Sequence, residues 1–210
     1  MDTKDLHALV AKEAYAQPDQ RAREIQGYYL DDTLGDDENA VYRNPETQDV
    51  VQGLRGTQLN AGWKTALGDL RNDIGVALPF LSRSSGLNAR TDRAEKVFND
   101  IAERYGRAPS LSGHSHGGSA GQRLLGRVAK SNPETMASTF NMGTGLVPTI
   151  NSLRCRLPAR LRPAFCDRAS NYRVKGDVVS LTSRLGNNYG RNVTQRPAIG
   201  GSRHAIGQFV

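Results

Sequence analysis

Gly113-His114-Ser115-His116-Gly117 sets a serine between two glycines in the G-x-S-x-G pattern of a nucleophile elbow. The chemistry this pattern serves is acyl transfer. A serine on a sharp turn from strand to helix is lifted above the sheet edge, and the first N–H groups of the helix point at the same spot. The turn demands an uncommon backbone conformation, and the flanking glycines leave room where a β-carbon would clash. Five residues make a weak signal alone. Here a short strand-like stretch, Ala108–Ser112, precedes the serine, and a helix-like one, Gly118–Lys130, follows it with Ala120, Leu124, Leu125 and Val128 on one face.

A serine nucleophile needs a base within hydrogen-bond reach and a third group to orient that base. The chain has four histidines. His114 and His116 flank Ser115, and on a tight turn their side chains are expected to point away from it. His7 lies in the first helix-like segment. His204, in the polar stretch Gly200–His204, remains as the base. In the chain order Ser, Asp/Glu, His of this elbow class, the acid falls among Glu134, Asp167 and Asp177. Glu134, after Pro133, reads as a first-turn charge and Asp167 as a local partner in an arginine-rich loop. Asp177 follows the strand-like Tyr172-Arg173-Val174 and the turn Lys175-Gly176. The C-terminal end of a strand is where open α/β sheets place functional residues, so Asp177 is the expected acid; a plain turn aspartate is the competing reading.

Acyl transfer also requires donors for the oxyanion. The N–H of His116, directly after the nucleophile, supplies one. Thr57, in Gly56-Thr57 at the end of the strand-like Asp49–Leu54, can offer an N–H and a hydroxyl as the second, or can simply cap a following helix.

These residues need a frame. Thr3–Gln17 reads as a helix with Leu6, Leu9, Val10 and Ala14 on one face; Tyr28–Leu30 is β-prone. Ala40–Arg43 and Asp49–Leu54 make a hairpin about Asn44–Thr47. Thr91–Tyr105 is the clearest helix, and Gly75–Leu87 reads as a loop with an apolar patch. Ala137–Met142 and Ser170–Val174 read as strands, and His204–Phe209 as a short helix or turn. The alternation predicts one α/β domain over 1–210: a mostly parallel central sheet with helices on both faces, opened by an N-terminal antiparallel hairpin.

With these blocks in place, the chain resembles the class 3 (fungal-type) lipase family of the α/β-hydrolase superfamily. Val51–Thr57 resembles the family strand ending in F-R-G-T/S, with Leu54 where phenylalanine is usual; a tryptophan and an acidic residue follow there, matched by Trp63 and Asp69. Gly113–Gly118 resembles G-H-S-L-G-G, with His116 in place of leucine. Thr139–Gly143 resembles the strand after the nucleophile helix, Lys175–Val179 the G-D-x-V acid strand, and His204 the late histidine. The match is collinear from about Ala40 to Phe209. It implies a serine carboxylester hydrolase acting on lipid acyl esters without a cofactor, and a lid over 64–87.

Composition sets the remaining bounds. The 210 residues carry a net charge of +7, but residues 1–100 hold twelve basic against seventeen acidic groups and residues 101–210 sixteen against four. Arg154, Arg156, Arg160, Arg162 and Arg168 are densest, in the loop 153–168 that also holds Cys155 and Cys166. That loop reads either as a solvated surface or as a patch for anionic lipid or nucleic acid. The two cysteines can pair or stay reduced. No Cys/His spacing for zinc and no phosphate loop is present, so neither metal nor nucleotide is expected. The N-terminus shows no signal-peptide pattern and no apolar run is long enough for a bilayer, which predicts a cytosolic, packaged or otherwise exported protein. Three functions stand: a lipase or phospholipase-like esterase at an anionic membrane, a peptidase or thioesterase on the same scaffold, or a non-catalytic binding protein docked through its basic half to lipid, nucleic acid or an assembly.

Overall fold

The computed structural model describes residues 3–56, 84–143, 150–177, 179–180, 188–198 and 202–210. Eight strands form one sheet in sequence order: β1 (Glu24–Ile25), β2 (Tyr28–Leu30), β3 (Asn39–Arg43), β4 (Val50–Leu54), β5 (Ser110–His114), β6 (Ala137–Phe140), β7 (Ala169–Val174) and β8 (Arg191–Gln195). The pairings from β1 to β4 are antiparallel and those from β4 to β8 parallel. The antiparallel part is thus four strands, larger than the expected hairpin. The two unanticipated strands sit at the sheet edges: β1 is two residues long and β8 is mostly exposed, so neither carries an apolar alternation.

Parallel strands added in sequence order, joined by right-handed crossovers, put their helices on one face. That face carries α2 (Ser84–Tyr105) and α3 (His116–Val128). Ala94 and Phe98 of α2 and Ala120, Leu124, Leu125 and Val128 of α3 pack on Leu54, Leu111, Ala137 and Ala169 of the strands. Full burial of each leucine is worth about 1.5–3 kcal/mol. The opposite face is covered by α1 (Thr3–Glu13), whose Leu6 and Val10 meet Ala40, Tyr42 and Val51. Its Ala8 and Ala11 meet Phe140, Val174 and Phe209. The approach of α1 is close: a β-carbon on Gly53 would lie 2.7 Å from the Val10 carbonyl oxygen. Helices on both faces of a largely parallel sheet is the predicted architecture.

Helix α2 begins seven residues before the expected Thr91. Ser84–Leu87, read as the end of a loop and lid, is its first turn, and Leu87 packs against the core. Gly86 and Asn88 break the apolar period there, which hid the start. The rest of the lid expectation, 64–83, lies outside the described residues, as do Thr57, Trp63 and Asp69. A short helix, α4 (Ile150–Arg154), follows β6. It leads into Cys155, which is disulfide-bonded to Cys166 with Cα atoms 5.4 Å apart. This settles a pairing left open by sequence. Asp167 pairs locally with Arg162 at 2.6 Å, as expected.

Candidate active site

Strand β5 ends at His114 and α3 starts at His116, so Ser115 alone makes the turn between them. Its backbone sits at φ 55°, ψ −125°, a region costly for any residue with a β-carbon. The turn is held by hydrogen bonds on both sides. The Ser115 N–H donates to Phe140 O at 3.0 Å, and the Ser115 carbonyl accepts from Ser119 N–H at 3.3 Å. The glycines are required by contact. A β-carbon on Gly113 would fall 2.4 Å from Gly117 O, and one on Gly117 would fall 2.1 Å from Leu54 O. Helix α3 can start directly over β4 and β5 only because these positions are bare.

The turn presents Ser115 Oγ 3.0 Å from His204 Nε2. His204 Nδ1 lies 3.2 Å from both Oδ1 and Oδ2 of Asp177. A carboxylate only accepts, so Nδ1 carries the ring proton and Nε2 is left to accept from the serine hydroxyl. Asp177 sits just beyond the C-terminal end of β7 and is 2 % exposed. Its carboxylate also accepts from Val179 N–H at 3.2 Å and Ser180 N–H at 3.0 Å. These two donors, added to the histidine, fix its orientation. Ser115, Asp177 and His204, far apart in sequence, are therefore brought into one hydrogen-bonded line. Glu134 lies in the exposed turn between α3 and β6 and takes no part.

His114 departs from expectation. Rather than turning away from the site, its ring lies 4.8 Å from the His204 ring and its Nε2 is 2.6 Å from the His204 carbonyl oxygen. That oxygen can only accept, so Nε2–H donates, and Nδ1 accepts from the Tyr15 hydroxyl at 2.8 Å. Burial first, then the neighbouring His204, holds the His114 imidazole down to about 3, and it is neutral at pH 7. The Tyr15 oxygen in turn accepts the Gly56 N–H. A β-carbon on Gly56 would lie 2.1 Å from that oxygen. One tyrosine after α1 thus braces both the end of the β4 segment and the histidine packed against His204. Sequence reading missed Tyr15 because nothing in its neighbourhood signals a partner about a hundred residues away.

His116 is the first residue of α3, so its N–H belongs to the free-donor end of a helix aimed at the serine. Burial first, then the charge of Arg90, then His204 pulls its imidazole down to about 4, which leaves it neutral near pH 7. Thr57, the other expected oxyanion donor, lies outside the described residues. Arg90, from α2, donates to Arg55 O at 3.2 Å and so ties the helix to the segment leading there. No group of three or more His, Cys, Asp or Glu side chains able to hold a metal ion occurs among the described residues.

No family model and no curated protein sequence matches the chain. Among solved structures it is similar to the Lip2 lipase of Yarrowia lipolytica, with a TM-score of 0.50 over 85 % of this chain and 73 % of that one, at 14 % identity. The fold is a lipase-like α/β-hydrolase fold. A triacylglycerol lipase from Penicillium expansum also aligns, with a TM-score of 0.49 over 91 % of this chain and 79 % of that one, at 16 % identity. At such identity the likeness speaks for fold alone, and a fold hosts many chemistries. Within the lipase-like fold, the reading of function rests on the side chains just described.

Proposed function

We propose that the protein is a serine carboxylester hydrolase acting on lipid acyl esters, with Ser115 as nucleophile, His204 as general base and Asp177 as its orienting acid. One observation carries the reading: the continuous line from Ser115 Oγ through both ring nitrogens of His204 to a buried carboxylate, at 3.0 and 3.2 Å. The choice of an acyl ester of a lipid rests on the lipase-like fold and on the family resemblance of the elbow and acid strands.

In this mechanism Ser115 Oγ attacks the ester carbonyl carbon while its proton passes to His204 Nε2. The imidazolium formed is stabilised by Asp177. The carbonyl oxygen becomes an oxyanion facing the His116 N–H, with Thr57 as the proposed second donor; each such donor is worth about 3 kcal/mol of barrier. His204 then gives the proton to the departing alcohol, leaving an acyl-Ser115. Water, deprotonated by the same nitrogen, releases the carboxylic acid and restores the serine. The basic second half of the chain and the segment 64–87 remain the proposed contacts to an anionic membrane surface.

Intact mass after treatment with a fluorophosphonate probe tests this directly. A single adduct on the wild type and none on Ser115→Ala is the expected result, together with hydrolysis of a soluble p-nitrophenyl ester by the wild type only. Unmodified wild type, or equal turnover by both proteins, refutes the assignment.

A further inference from the structure

We infer that Asn141 is the positioning residue that sets the spacing of the three catalytic side chains, an inference that rests on the triad proposed above. Asn141 directly follows β6 and has no solvent exposure. Its backbone lies at φ 41°, a left-handed conformation that glycine and asparagine tolerate better than other residues. Conformation alone would be met by glycine. The amide is what a glycine would lack, and both its ends are engaged.

The Oδ1 atom accepts the Val174 N–H at 2.8 Å, at the end of the strand that delivers Asp177 three residues later. The Nδ2 atom donates to the Arg203 carbonyl at 2.7 Å, on the residue before His204. The Asn141 N–H donates to Tyr172 O at 2.8 Å, and the carbonyl of its neighbour Phe140 takes the N–H of Ser115 at 3.0 Å. Two consecutive residues thus touch the segments that carry nucleophile, acid and base. The bond to Tyr172 O continues the β6–β7 ladder. The two side-chain bonds do not belong to any ladder; they join a strand end to a neighbouring strand end and to a C-terminal segment some sixty residues on.

The chemistry of the group is specific. Bridging a buried N–H and a part-buried C=O requires an acceptor and a donor on one short, rigid stem. A carboxylate supplies only acceptors, glutamine is a methylene too long, and serine cannot span both. The carbonyl of Arg203 and that of His204 are held by Asn141 and His114 respectively, so the base is fixed by the backbone on both sides of its Cα. Without the Asn141 amide the Arg203 carbonyl and the Val174 N–H are orphaned, and a shift of either segment lengthens the 3.0 Å or 3.2 Å contacts of His204. Misplacement of about 1 Å costs on the order of a hundredfold in rate.

The test compares wild type with Asn141→Gly, which suits the backbone, and Asn141→Asp, which keeps shape and acceptor but loses the donor when ionised. Turnover of a soluble p-nitrophenyl ester is measured per folded molecule, alongside fluorophosphonate labelling and the NMR resonance of the His204 Nδ1 proton. The expected result for both variants is kcat reduced about ten- to a hundredfold, KM within about twofold, slower labelling, and a displaced or broadened Nδ1 proton signal. A merely structural residue would lower thermal stability and leave kcat per folded molecule and the proton signal as in wild type; that outcome overturns the inference. A wild type that takes no label at all overturns the triad itself, and with it the role of Asn141. A labelled wild type with equally fast variants removes Asn141 alone.

Discussion

Acidification should destabilise this protein from about pH 6.5 downwards, through histidines that are buried uncharged. His7 is 3 % exposed and His114 6 % exposed. Burial lowers the first to about 4 and the second to about 3. The sign follows from linkage. Above the ordinary histidine value of about 6.5 both groups are neutral in folded and unfolded chains, and stability is undiminished. Below it the unfolded chain takes up protons that the folded chain refuses, so stability falls as pH drops towards the folded values. At about pH 5 the loss is on the order of 2 kcal/mol per site. That figure depends on the unfolded value and hardly on how far below 5 the folded value lies. His116 adds in the same direction, discounted for its partial exposure. Two sites together remove about 4 kcal/mol from a native stability that is typically about 5–15 kcal/mol. With a urea dependence of about 2 kcal/mol per molar, the unfolding midpoint should drop by about 2 M between about pH 8 and pH 5. Urea titrations followed by circular dichroism measure this, and His114→Gln should recover about half of the drop whatever it costs at pH 8. A midpoint that moves by less than about 0.3 M would refute the claim that these imidazoles are buried neutral.

The strained elbow and the disulfide give two further expectations. Ser115→Gly should be more stable than Ser115→Ala by about 1–2 kcal/mol, because glycine relieves the positive-φ turn while losing more backbone entropy on folding; equal urea midpoints for the pair would show an unstrained elbow. The Cys155–Cys166 bond closes a loop of sequence separation 11, for which the chain-entropy argument gives about 3 kcal/mol. Intact mass without reductant should be two hydrogens below that with reductant, and reduction should lower the midpoint accordingly; an unchanged mass would mean the thiols are free.

Much of the frame was legible because it follows local rules. The apolar faces of α1 and α3 and the strands β3, β4 and β7 lie within a few residues of the patterns that announce them. The edge strands did not show themselves: Arg191–Gln195 is mostly exposed, and an edge needs no apolar alternation. The start of α2 was obscured by Gly86 and Asn88, since tertiary contact of Leu87 with the core overrides weak local propensity.

At the candidate site, Ser115 was singled out by its glycines, and His204 and Asp177 by elimination and chain order, and the fold brings the three within hydrogen-bond distance. Their supporting residues were not. His114 was expected to turn away, yet it lies between Tyr15 and the backbone of His204. Asn141 looked like one more residue of a strand, yet its amide joins Val174 to Arg203. Residue type and local turn geometry were enough to single out the proposed nucleophile, base and acid. What holds them at hydrogen-bond distance came from the packing of distant segments. Those holding contacts are buried or part-buried polar bonds between segments about thirty to a hundred residues apart, each satisfied by a partner that no local pattern encodes.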